Sequence, residues 1–164
     1  MADRIVITEA MRSRIGRDFP AWIHEVTTTG VRAYARGVGY TDPVYYDEAA
    51  ARAAGYRSLP APPTYLGTPI FLPDRSSDVS SRPLAAEPSI EHGLSNQLDG
   101  GTDTEYYAQI CAGDLLSAVS RITDLELRAS KSLGQMLVMT SETTFTRLDT
   151  GACVAMQRRR WIFY

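Results

Sequence analysis

Lysine occurs once in this chain, at Lys131, and histidine and cysteine twice each; every one of these scarcities narrows the chemistry available. Seventeen basic residues face nineteen acidic ones, a net charge of -2, so no basic excess exists to neutralise a phosphate backbone and nucleic acid is not an expected partner. Cys111 and Cys153 lie far apart without CxxC or CxxH spacing, which indicates neither a disulfide framework nor a metal site. Both are expected to be buried thiols in a reducing compartment. No stretch approaches the roughly 18 consecutive apolar residues of a membrane span, and MADRIVITEAMRSRIG lacks the apolar core of a secretory signal. The expected location is the cytoplasm, with no membrane partner. GxGxxG and GxxxxGK are both absent, which removes the commonest nucleotide-binding signals; no cofactor is expected.

What is present fits one folded unit over residues 1–164. The composition, 44% hydrophobic and 22% charged, is that of a globular protein with a sizeable core. Thr8 is placed to cap a short helix running toward Gly16, and Trp22 to Val26 reads as a first strand. From Thr29, the residues Val31, Tyr34, Ala35 and Val38 fall at i, i+3, i+4 and i+7, which predicts an amphipathic helix ending at Gly39. A turn at Thr41-Asp42-Pro43 precedes a shorter helix from Asp47 to Ala54. The prolines of LPAPPTYL then forbid regular structure until about Thr64. Residues 73–90, rich in Pro and Ser, look like a long surface excursion of the kind that serves as a mobile lid or partner contact.

The back half changes character. Thr104 to Ile110, Leu115 to Arg128, Gln135 to Leu148 and Cys153 to Tyr164 are extended candidates separated by AGD, ASKSLG and DTG turns. Four consecutive strands suggest an antiparallel meander. With Trp22 to Val26 as a fifth strand, the economical α+β packing is a curved antiparallel sheet wrapped against one long central helix.

The string Gly39-Tyr40-Thr41-Asp42-Pro43-Val44-Tyr45-Tyr46-Asp47-Glu48, followed by Leu59-Pro60-Ala61-Pro62-Pro63-Thr64-Tyr65, resembles the MaoC-like hydratase and dehydratase family. The closer likeness is to its N-terminal, FAS1-like dehydratase branch. ITEAMRSRIGRDFP, LDGGTDTEYYAQICAGD and SETTFTRLDTGACVAMQRRRWIFY resemble the opening, the central strand and the last hairpin of that branch. The resemblance implies a hot-dog fold, assembled as a homodimer or as a heteromer with a second hot-dog subunit. It also implies an acyl thioester ligand, carried on coenzyme A or on a carrier protein.

Active relatives carry GDxNPxH, in which an Asp and a His must reach one water and the substrate together. This chain has Tyr40 at the Asp position, Asp42 at the Asn position and Tyr45 at the His position. A phenol with a pKa near 10 is a poor base at neutral pH, although it can donate a hydrogen bond or a proton. Relatives also place His-Gly where this chain has Pro62-Pro63, and proline has no N-H to stabilise a thioester oxygen. Tyr40, Asp42, Tyr45 and, from outside the motif, His92 are the catalytic candidates; Ala61, Pro63, Thr64 and Tyr65 are the candidates for substrate binding. For the Tyr40, Asp42 and Tyr45 cluster, a capping Asp with two packed tyrosines is an equally good reading. His24, in a strand, is expected to be structural. Arg158, Arg159 and Arg160 alternate across a strand, and a solvated edge explains them as well as phosphate binding does.

Two losses at one site favour a subunit that has given up ordinary hydratase chemistry and forms the substrate channel beside a catalytic partner. Tyr40, Ala108, Gln109 and Ala112 depart even from the noncatalytic relatives. They leave open a repurposed homodimeric enzyme, a cyclase or unusual dehydratase acting on a polyketide-like intermediate. A nonenzymatic binding protein is the third class.

Overall fold

A computed structural model describes residues 5–70 and 82–164. The predicted excursion at 73–90 lies outside the described residues up to 81; the remainder includes a single 3₁₀ turn, Leu84–Ala86. Helix α1, Glu9–Arg12, begins at Thr8, whose hydroxyl accepts from the Met11 N-H at 3.2 Å. Strand β1 is Trp22–Glu25. Helix α2 is Thr28–Gly37, capped by the Thr27 hydroxyl accepting from the Gly30 N-H at 2.9 Å. It stops before Val38, which is 47% exposed rather than part of the buried stripe. Helix α3, Glu48–Ala53, is capped by Asp47.

Strands β2 (Gln97–Tyr106), β3 (Leu115–Ser130), β4 (Gly134–Arg147) and β5 (Cys153–Phe163) complete a five-stranded antiparallel sheet in the order β1-β3-β4-β5-β2. Val31 of α2, with Tyr34 packed beside it, buries into one cluster with Leu116, Ala118, Phe145 and Val154 of the sheet, and Ala35 is fully buried, so the helix lies across the inner face. This is the hot-dog architecture.

Two expectations are corrected here. The strand placed at Thr104 to Ile110 runs from Gln97 to Tyr106, because Gly100-Gly101 does not end it but forms a bulge between Asp99 and Thr102. A Cβ at Gly100 would lie 2.9 Å from Arg160 Cβ, so only glycine lets the two strands stay paired there. The four strands also do not form one meander. After Tyr106 the chain leaves the sheet to bond with the proline-rich segment, Ala61 N donating to Ile110 O and Ala112 N to Leu59 O, both at 2.8 Å. That detour carries the chain across to the far side, so β2 pairs with β5 instead of β3.

The inner face is not uniformly apolar. One cluster surrounds Phe145 and α2; a second joins Met11, Phe19, Ile122, Leu125, Leu137, Met139 and Phe163. Buried Ser120, Ser141, Thr143 and Gln157 also belong to this core. Ser120 and Thr143 hydroxyls bond at 2.7 Å, and buried Arg82 donates to Ser120 at 3.0 Å while pairing with Glu87 at 3.2 Å. Asp114, also buried, accepts from the Cys111 N-H at 2.9 Å and pairs with Arg57 and with Arg147, the latter at 3.1 Å. It pins the turn before β3 to the loop after α3 and to the end of β4. Cys111 is buried as expected, but Cys153 is exposed, because it opens β5 at the sheet's end.

Candidate functional site

The turn after α2 is built from local hydrogen bonds. Gly39 takes a left-handed conformation, φ 79°, and the Tyr40 N-H returns to Ala35 O at 2.9 Å, closing the helix. Asp42 Oδ1 accepts from the Val44 N-H at 3.0 Å and caps a 3₁₀ turn, Pro43–Tyr45. The chain thereby doubles back, and the rings of Tyr40 and Tyr45 stack with centroids 5.4 Å apart and planes 23° from parallel. The Tyr46 hydroxyl donates to Tyr40 O at 2.5 Å, and Arg32 Nε donates to Tyr46 O at 3.0 Å. Burial first, then the neighbouring Tyr40, Tyr56 and Asp42, push the Tyr45 phenol above its ordinary value. Tyr45 therefore holds its proton at neutral pH and can donate but not serve as a base.

A second group of candidates lies on the segment tied to Ile110 and Ala112. Pro62 is buried, Ala61 half-buried, and Pro63 and Thr64 exposed. Thr64 has φ 69° and ψ 0°, a left-handed conformation found at no other non-glycine among the described residues. For a β-branched residue this costs on the order of 1–3 kcal/mol and persists only where surrounding contacts impose it. Those contacts are visible: the Tyr34 hydroxyl bonds Thr64 Oγ1, Thr64 Oγ1 donates to Pro63 O, and the Thr64 N-H donates to the Tyr106 hydroxyl at 3.1 Å. Tyr34 comes from α2 and Tyr106 from the end of β2. Tyr34 sits on the helix's apolar stripe and reads from spacing as packing alone; nothing in its periodicity marks the hydroxyl.

Tyr65 points the other way. It is buried, lies edge-on to His24 at 5.9 Å and to Tyr34 at 5.7 Å, and fixes the segment to the core. Its hydroxyl reaches Thr27 at the start of α2, and Gly30 leaves the space it needs.

Residues 13–156 match the family described as "FAS1-like, dehydratase domain region". The chain belongs to this family. A UPF0336 protein of Thermobifida fusca (strain YX) is 31% identical over 123 residues, covering 75% of this chain and 74% of its own. A probable enoyl-CoA hydratase alpha subunit of Thermomonospora curvata is 27% identical over 139 residues, which are 79% of this chain and 42% of that longer protein. Among solved structures, the C-terminally truncated HadBC (3R-hydroxyacyl-ACP dehydratase) complex of Mycobacterium tuberculosis superposes with a TM-score of 0.69 at 20% identity, over 91% of this chain and 96% of its own; the likeness is one of fold.

Within this FAS1-like dehydratase domain, the other sequence candidates are dispersed. His92 tilts against Phe163, 4.1 Å between ring centroids, and its Nδ1 accepts from the Leu94 N-H at 3.1 Å. Phe163 belongs to the second apolar cluster, so the protomer does not bring His92 to the Tyr40 and Tyr45 stack. Burial lowers its pKa. Arg158 pairs with Glu142 at 2.7 Å and Arg160 with Asp103 at 2.8 Å, while Arg159 lies over the Trp161 ring at 3.8 Å and reaches Asp99 at 3.4 Å. All three have protein partners. Among the described residues no group of His, Cys, Asp or Glu is placed to hold a metal ion, and no helix is long and apolar enough to cross a membrane.

Proposed function

We propose that this chain binds an acyl thioester and forms the substrate-channel half of a hydratase or dehydratase heteromer whose other subunit supplies the acid-base dyad. The observation that carries this reading is a turn kept in shape but altered in chemistry. Asp42 still caps the turn after α2, yet the two positions that should hold a base and its partner hold stacked phenols, one with its pKa raised. The proline-rich segment is equally well anchored, and Pro63 offers no N-H. Geometry held while proton-transfer groups are lost suits binding without turnover.

The relatives' names support the same assignment. One is an alpha subunit of a probable enoyl-CoA hydratase, and another is part of a 3R-hydroxyacyl-ACP dehydratase complex; both names refer to acyl thioesters and to more than one kind of subunit. Strand β2 supports a second hot-dog subunit, because it ends the sheet with ten residues, eight of them exposed, and one row of unpaired backbone groups.

The test is hydration of crotonyl-coenzyme A by the purified chain, alone and after coexpression with a MaoC-like subunit carrying GDxNPxH. The expected outcome is no useful turnover alone and turnover in the complex. Robust turnover by the chain alone, abolished by Tyr40→Phe or Tyr45→Phe, overturns the assignment and makes the chain a self-sufficient enzyme.

A further inference from the structure

Thr64 gathers three hydroxyls and one backbone N-H, and the direction of each bond leaves one proton without an acceptor. Thr64 Oγ1 donates to Pro63 O, so the bond between Thr64 and Tyr34 runs from the Tyr34 hydroxyl. The Tyr34 proton is therefore used. The Thr64 N-H donates to the Tyr106 oxygen at 3.1 Å, which makes Tyr106 the acceptor in that bond. Its own hydroxyl proton meets no acceptor among the described residues, and the side chain is 44% exposed.

We propose that the Tyr106 hydroxyl is the hydrogen-bond donor to the carbonyl oxygen of the bound acyl group, taking the place of the N-H that Pro63 lacks. The inference rests on the acyl-thioester reading above and names the group that would hold the thioester. Three features carry it. The Thr64 N-H occupies one lone pair of the Tyr106 oxygen, which directs the proton away from Thr64 and polarises the O-H bond. The position is held at both ends: Tyr106 is paired with Ala155 in the sheet, and Thr64 is locked left-handed by its three bonds. Among the described residues no charged side chain bonds Tyr34, Thr64 or Tyr106, so the donor is neutral and matched to a neutral acceptor such as a carbonyl. Burial raises the Tyr106 phenol above its ordinary value, against the opposing pull of the Thr64 N-H, and it keeps its proton at neutral pH.

Crotonyl-coenzyme A labelled with carbon-13 at the thioester carbonyl tests this by infrared difference spectroscopy and titration calorimetry. In the parent protein the bound carbonyl band should move to lower frequency than in free ligand. Tyr106→Phe should return the band toward its free position and weaken binding about tenfold, whereas Tyr107→Phe, which removes the adjacent hydroxyl that bonds Glu105 and leaves Thr64 and Tyr106 untouched, should retain the shifted band. If the parent binds and Tyr106→Phe changes neither band nor affinity, the donor lies elsewhere and the acyl-thioester reading survives without it. If the parent does not bind the probe, that reading falls and this inference with it. Should Tyr106→Phe fail to fold, the ring-carbon resonance of Tyr106 in tyrosine-labelled parent protein must move when the probe is added; a resonance that stays put overturns the proposal.

Discussion

His24 stands perpendicular to Tyr65, 90° between ring planes and 5.9 Å between centroids, and this contact joins β1 to the segment that carries Pro63 and Thr64. The imidazole also meets Phe145 edge-on at 6.2 Å, and neither ring nitrogen has a hydrogen-bond partner among the described residues. The buried ring is therefore held neutral as an apolar spacer beneath the candidate site.

Stability should fall with acid because of His24. Burial lowers its pKa from 6.5 to about 4, so between those values the unfolded chain binds a proton that the folded chain refuses. The penalty is absent above pH 6.5, grows as the pH drops and is complete near pH 4, amounting to about 3 kcal/mol. Urea titrations at pH 7.5, 5.5 and 4.5 should show His24→Leu losing less stability with acid than the parent by that order. Equal losses in both proteins would mean His24 does not carry the effect.

Gly30→Ala should destabilise the protein even though alanine ordinarily favours an exposed helix over glycine by about 1 kcal/mol. The added methyl would run into the Tyr65 hydroxyl and lie 2.8 Å from Thr27 Oγ1. The expected net loss is about 1–3 kcal/mol, the usual cost of overpacking. Chemical denaturation reads the sign directly, and a gain in stability would refute the close approach.

Tyr45 should act through its ring. With its pKa raised and its face stacked on Tyr40, the hydroxyl is no base at neutral pH. Calorimetric binding of crotonyl-coenzyme A should change less than about twofold in Tyr45→Phe and fall about tenfold in Tyr45→Ala, the latter a difference of ~1.4 kcal/mol. Equal effects of the two substitutions would assign the role to the hydroxyl instead.

Local elements were legible wherever one periodicity or one cap sufficed. The spacing of Val31, Tyr34 and Ala35 located α2, Thr8 and Asp47 marked helix starts, and the three long strands of the back half fell within a few residues of their observed ends. The turn of Tyr40, Asp42 and Tyr45 was legible as a cluster because its contacts span only a few residues. Where the reading missed, the deciding contact came from a distant strand. The strand read as starting at Thr104 starts instead at Gln97, which shows only when Gly100 is set beside Arg160, and β2 looks like the first strand of a meander until the detour to Ala61 is seen. Within β3 a bulge between Ile122 and Asp124 shifts the alternation, so Ile122 and Leu125 both enter the core, which strict period-two spacing does not anticipate.

By itself the sequence determined what short-range sterics and periodicity can dictate: the helix, the hairpins, the cap at Asp42, the lack of an N-H at Pro63 and two tyrosines on the turn after the helix. Only the tertiary structure decided which hydroxyls meet. Tyr34, Thr64 and Tyr106 are separated by 30 and 42 residues along the chain, and their bonds exist because α2, the proline-rich segment and the end of β2 are packed together. Hydrogen bonds act over about 3 Å, so the proton left free on Tyr106 has no signature in residue spacing; it follows from the left-handed turn at Thr64 and from where the sheet order places β2.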